Sequence, residues 1–253
     1  MLIPRIIPVL LLRNNGLYKT VRFKNPKYVG DPINTVKVFN EKEVDELIIL
    51  DYTATSENRG PAFSALENIA SQCFMPVCYG GGITSLDDIK RIISLGVEKV
   101  ALNTIAAENP AFVEKASSMF GSSTIVVSID SKKIVFGGYG VFVRSGTKYA
   151  KVRPEIFAEQ MENCGAGEIL INSIQKDGTM LGYDLELIKM VSEVVKIPVI
   201  VCGGAGEMVH FNDAHLSGAT ALAAGSFFVF HGKHRGVLIS YPSRQEFVDL
   251  FNK

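Results

Sequence analysis

The chain has 253 residues, 47% of them hydrophobic, and its 26 Lys and Arg are balanced by 26 Asp and Glu. That length and apolar content suit one large α/β domain, and the zero net charge excludes the global basic field of a nucleic-acid or membrane-surface binder. No apolar run approaches the roughly 20 residues of a membrane span, and the N-terminus lacks a signal-peptide layout. Cys73, Cys78, Cys164 and Cys202 are scattered with no CxxC pair. They read as reduced thiols of a cytoplasmic protein, with no metal site, disulfide framework or cofactor expected.

Taken in chain order, a strand is predicted over Arg5–Leu11. A long connection follows, Leu12 to Pro32, rich in Lys, Arg, Asn and Gly, and then a helix over Asn34–Val44. Strand Glu46–Leu50 leads to helix Ala62–Gln72, strand Pro76–Tyr79 to helix Leu86–Leu95, and strand Lys99–Leu102 to helix Ala111–Met119. Strand Thr124–Ile129 is followed by a second long connection, Ser131 to Val152. This one reads as a hairpin, with an arm at Lys133–Phe136, a turn at Gly137-Gly138 and a return at Gly140–Val143. Helix Arg153–Cys164, strand Glu168–Asn172, helix Leu185–Val194, strand Pro198–Val201, helix Glu207–Leu216 and strand Ala221–Ala224 complete the series. Gly96, Gly165 and Gly218 follow helical patterns as C-terminal caps do.

The eight strand runs are mostly apolar without alternation, as parallel strands buried on both faces require. The chain also repeats itself. Met75–Gly82 corresponds to Ile197–Gly204, Gly96–Thr104 to Gly218–Ser226, and Glu46–Asp51 to Glu168–Ser173, each pair 122 residues apart. A constant offset of half the chain marks a duplicated half-domain. The expected fold is α/β, a (β/α)8 TIM barrel with internal two-fold half-barrel duplication. It forms one domain over residues 1–253, with half-barrels of about 1–122 and 123–253. An open doubly wound sheet is the alternative, but two equal four-strand halves close naturally into a ring.

Two glycine loops, Gly80-Gly81-Gly82 and Gly203-Gly204-Ala205-Gly206, each follow a strand and precede a helix. Glycine admits an anion close to the backbone, and helix N-terminal amides supply donors. Asn103-Thr104 and Gly225-Ser226 end the neighbouring strands, and Gly178 lies in the loop after the sixth. Two loops in register favour a ligand with a phosphate at each end, against tight barrel turns with no ligand. Asp51 and Asp130 sit at strand C-termini, and Asp177 lies in Gln175–Thr179. Such carboxylates face a ligand and suit acid/base work, or else cap a loop. Lys19 reads as a contact to a phosphate or a substrate carbonyl, or as a solvated lysine. Arg5, Glu46, Lys99 and Glu168 stand near strand starts, where they form either a ring closing the barrel bottom or ordinary surface pairs worth about 0–1 kcal/mol. His231-Gly-Lys-His234 lacks further metal ligands and reads as a basic loop.

Together these motifs resemble the cyclase subunit of imidazole glycerol phosphate synthase over roughly residues 1–230. The matching stretches include Arg5-Ile-Ile, Tyr79–Ile83, Asn103-Thr104, Gly165–Glu168, Asp177–Thr179, Gly182–Asp184 and Gly203–Gly206. The resemblance implies a glutaminase partner at the N-terminal face of the barrel, an ammonia gate at Arg5, Glu46, Lys99 and Glu168, acid/base chemistry at Asp130, and two phosphate sites. The family's second catalytic aspartate, at the end of strand one, is replaced here by Leu11. Gln175 stands where an acid is usual and Cys202 where serine is usual, and the tail after Phe230 diverges. This pattern resembles a side branch serving surface-polysaccharide synthesis, with Pro26–Pro32 and Phe228–Gly232 as shared stretches. The expectation is therefore an ammonia-channelling subunit that feeds an N-acetyl sugar amidotransferase, turning acetamido into acetamidino. A histidine-pathway cyclase and a non-catalytic phosphosugar-binding scaffold are the alternatives. A phosphorylated small-molecule ligand is expected, and neither nucleic acid nor membrane.

Overall fold

A run such as Leu47-Ile-Ile-Leu-Asp51 needs cover on both faces. In the computed structural model, which describes residues 3–135 and 137–252, it has that cover. Eight parallel strands form a closed ring: Arg5–Arg13, Leu47–Asp51, Val77–Gly80, Lys99–Leu102, Ile125–Lys133, Glu168–Ser173, Val199–Cys202 and Ala221–Ala224. The first strand pairs with the eighth at Arg5↔Ala221 and with the second at Val9↔Ile48. The fourth and fifth join the two halves at Val100↔Ile125, and the fifth pairs with the sixth at Val126↔Glu168, so no open edge remains among them. The predicted strands match within about two residues, except that the fifth runs on to Lys133.

Helices cover the outside, several of them starting from a local signal. Ser85 and Asp88 form a capping box at the start of Leu86–Ser94, and Asp31 caps Pro32–Glu41. Two short helices, Thr104–Glu108 and Ser226–Val229, begin 122 residues apart, as the duplication requires. A last helix, Arg244–Phe251, was not predicted. Its Ser243/Glu246 capping box was legible, and Phe247 packs edge-on against Phe211 with ring centroids 6.0 Å apart. No helix among the described residues is long and apolar enough to cross a membrane.

Both long connections are hairpins above the strand C-termini. The first pairs Gly16–Val21 with Lys24–Gly30. Asn14-Asn15 and Arg22-Phe23 make its tight turns with positive φ, the geometry that the twist of paired strands selects. In the second, the arm predicted at Lys133–Phe136 is instead the extension of strand five, which pairs Asp130↔Phe142 through Lys133↔Tyr139. Phe136 lies outside the described residues. A second turn at Arg144-Ser145 leads to Lys148–Tyr149.

The barrel interior is a separate apolar column. Ile7, Ile48, Cys78, Ala101, Ala221 and Ala223 all point into it.

Candidate functional site

The four charged residues at the strand starts meet. Arg5 Nη1 lies 2.5 Å from Glu46 Oε2, and Arg5 Nη2 lies 2.9 Å from Glu168 Oε1. Lys99 Nζ reaches the same two carboxylates at 3.0 and 3.2 Å. The result is an alternating ring at the foot of the apolar column. The surface-pair alternative fails on burial, since the Glu46 side chain is 2% exposed. Glu46 Oε1 is buried without a hydrogen-bond partner.

At the other end of the column the strand C-termini frame a cavity. It is lined by Leu11, Lys19, Asp51, Asp130, Asn172, Asp177, Cys202 and both glycine loops, with Asn103, Thr104, Gly178, Gly225 and Ser226. The structure thus brings together every residue predicted for catalysis and phosphate binding, and it sets the four residues predicted as a gate at the opposite face.

Asp130 opens onto the cavity but sits deep in the barrel mouth. Desolvation, reinforced by the nearby negative Asp177, pushes its carboxyl up to about 7, against a weaker opposing bond from Asn172. Asn103 Nδ2 approaches Asp130 Oδ2 at 3.4 Å and donates to the Ser128 carbonyl at 2.9 Å. Asp177 is also raised, chiefly by desolvation. It accepts from Thr20 Oγ1 at 2.7 Å and from the Phe23 amide at 3.1 Å, so it ties the first hairpin over the mouth. Asp51 is engaged differently. Arg59 Nη1 holds Oδ2 at 3.2 Å, and the amides of Thr53 and Ala54 donate to Oδ1, which organises the loop after strand two.

Lys19 is 5% exposed and donates to the Val9 carbonyl. Burial lowers its ammonium to about 8. The solvated-lysine alternative is therefore excluded.

The glycine loops match across the halves in backbone as well as in sequence. Gly81 and Gly82 have φ of +125° and +70°, and Gly203 and Gly204 have +90° and +119°. A Cβ at Gly81 would strike the Asp51 backbone carbonyl, so the tight turn itself demands glycine there.

Sequence reasoning missed Arg235. The basic loop around His231 and His234 is the turn of a small hairpin, Phe230–His231 with Gly236–Val237. From it Arg235 donates to the carbonyls of Gly178 at 3.2 Å and Thr179 at 3.1 Å. No spacing in the sequence announced that reach across 56 residues. Arg59 was missed likewise, although its nearness in sequence to Asp51 was a usable signal.

Comparison with known proteins gives the family. The profile of the family described as histidine biosynthesis protein matches residues 5–235. A Pseudomonas aeruginosa protein, provisionally named imidazole glycerol phosphate synthase subunit hisF2, is 50% identical over 239 residues, covering 94% of this chain and 95% of its own. A Leptospira borgpetersenii protein, provisionally named imidazole glycerol phosphate synthase subunit HisF, is 46% identical over 99% of this chain and 100% of its own. Imidazole glycerol phosphate synthase subunit HisF of Sulfurisphaera tokodaii is 43% identical over 96% of this chain and 95% of its own. With a matching profile over nearly its whole length and relatives this similar, the chain belongs to the histidine biosynthesis protein family and is HisF-like.

Proposed function

We propose that this chain is the ammonia-receiving barrel of a glutamine amidotransferase complex. The observation that carries the reading is the alternating ring of Arg5, Glu46, Lys99 and Glu168 at the foot of an apolar column. The column ends at the Asp130 cavity. Glu46 Oε1 offers a free acceptor to an arriving ammonium. A charge entering the column would lose its hydration without compensation, so the proton stays behind and neutral ammonia passes. Phe74, Met119, Val194 and Leu216 are exposed, and each precedes a barrel strand, which sets it on the N-terminal face. Scattered around the ring, they give an apolar rim of the kind a partner subunit covers. A HisH-like glutaminase fits that face.

At the mouth, Gly81, Gly82, Asn103 and Thr104 serve one phosphate of a ligand. Gly178, Gly203, Gly204, Gly225 and Ser226 serve the other. Asp130, Asp177 and Lys19 handle protons, and Asp51 holds the surrounding loop. Leu11 removes the acid that ring closure needs in related subunits. The ammonia is therefore passed on to an N-acetyl sugar amidotransferase, which converts an acetamido to an acetamidino group on a surface-polysaccharide sugar. The test supplies glutamine labelled with 15N in its amide to this barrel, a HisH-like glutaminase and the sugar amidotransferase. Label is expected in the sugar only with all three proteins present. Equal labelling without the barrel overturns the reading.

A second reading, a histidine-pathway cyclase, is favoured by Asp130, whose carboxyl near 7 suits acid/base catalysis. Ammonia-fed turnover of the two-phosphate nucleotide at about 1 per second or more would establish it.

A further inference from the structure

Among the described residues Lys19 is the only lysine or arginine in the buried class. Its stem leaves the first hairpin strand, Gly16–Val21, and its ammonium ends in the mouth cavity. A backbone carbonyl, that of Val9, is its hydrogen-bond partner, and among the described residues no carboxylate pairs with it. The titratable groups facing it are Cys202 at the end of the seventh strand and Asp177 in the loop after the sixth, with Asp130 in the same cavity. Leu11 and Val9 supply hydrocarbon walls. Gly225 leaves it room, because a Cβ there would stand 2.5 Å from Nζ. A buried amine without a counter-ion in an apolar-walled site is the arrangement that lets lysine act as a nucleophile toward carbonyls.

The geometry points to Lys19 as a Schiff-base nucleophile for the carbonyl of an open-chain sugar bisphosphate, which channelled ammonia then releases by transimination. This rests on the reading that channelled ammonia and a phosphorylated ligand meet at this mouth, and it makes the sugar imine, in place of free ammonia, the form in which nitrogen leaves the barrel for the acceptor enzyme. The free amine adds to the carbonyl carbon to give a carbinolamine. Asp130, in its protonated form, gives a proton to the departing hydroxyl, which leaves as water and leaves the lysine imine. Ammonia adds to the imine carbon, the bond from that carbon to Nζ breaks, and the proton shed by the added nitrogen returns to the lysine. The iminium so formed returns a proton to the Asp130 carboxylate, giving the unsubstituted sugar imine with no oxidation or reduction. The covalent step makes the carbon more electrophilic without a carboxylate on strand one, so it accommodates Leu11. The two matched glycine loops, one in each half-barrel, select a ligand with phosphates at both ends.

The test incubates the full-length barrel with ribulose 1,5-bisphosphate and sodium cyanoborohydride, then maps peptides by mass spectrometry. An adduct with the mass of the sugar less one oxygen is expected on Lys19, about tenfold or more above any other lysine. Its yield is expected to pass through a maximum between pH 7 and 8, where the free amine and the protonated Asp130 coexist, and to fall when ammonium chloride is added. Lys19→Arg is expected to give no adduct. Gly225→Ala, which keeps the lysine but crowds Nζ, is expected to reduce it. Labelling spread evenly over lysines, or unchanged in Lys19→Arg, overturns the inference. Calorimetric titration with the same sugar separates the remaining outcomes. Binding without adduct overturns the Schiff base and leaves the ammonia reading standing. Absence of binding overturns the Schiff base and the two phosphate sites together.

Discussion

Leu11 and Leu50 are direct register partners across the first two barrel strands, and both line the mouth cavity. Hydrocarbon thus faces hydrocarbon where the resemblance to the cyclase subunit calls for a catalytic acid. Leu11→Asp is expected to raise ammonia-fed cyclisation of the two-phosphate nucleotide by about 100-fold or more, the usual worth of a positioned acid/base group. A steady-state assay at saturating ammonium checks it. No gain would show that Leu11 does not by itself limit that reaction.

The ion ring should be costly to break from its buried side. Glu46→Ala strands Arg5 and Lys99 between Glu168 and nothing, and is expected to cost about 3–5 kcal/mol in urea unfolding. Lys99→Met should cost less, since Arg5 still bridges both carboxylates.

Asp130 makes stability pH-dependent in a defined window. Its carboxyl is raised from 3.8 to about 7 in the folded protein, so the folded state holds the proton more tightly. The stabilisation is complete below 3.8 and is lost as pH rises through 7. Asp130→Asn should therefore match the parent near pH 4 and exceed it above pH 7. The gain should be on the order of 2 kcal/mol, discounted because the cavity admits water. Thermal unfolding across that range measures it.

Lys19 has the opposite sign. Its ammonium is lowered from 10.5 to about 8, so between those values the unfolded chain holds more protons and stability rises with pH. Below pH 8 the buried charge is a full penalty. Lys19→Met should stabilise at pH 7 by on the order of 2 kcal/mol, a gain that fades by pH 10.5.

Arg235 holds two loop carbonyls from outside the barrel. Arg235→Ala removes two charge-assisted bonds, worth about 1.5–3 kcal/mol each at most. Faster amide hydrogen exchange confined to residues 176–182 is expected, with Ile125–Lys133 unaffected.

Much of this architecture was legible because periodicity and duplication are local signals. Unbroken apolar runs mark all eight barrel strands, and the 122-residue offset alone pairs Gly81 with Gly203. What stayed hidden depends on chain segments meeting from afar. Leu12 to Pro32 looked like an irregular loop because Arg22-Phe23 turns without glycine. Arg235 gave no cue, since its partners are backbone carbonyls that carry no sequence identity. The charge ring was visible only as four letters. Their meeting depends on strand stagger, which sequence does not display.

Each anion of that ring holds both cations, and each cation holds both anions. A closed loop of four contacts can lose any one and remain a connected chain of four charges. Opening any one contact therefore leaves no member of the ring without a partner of opposite charge.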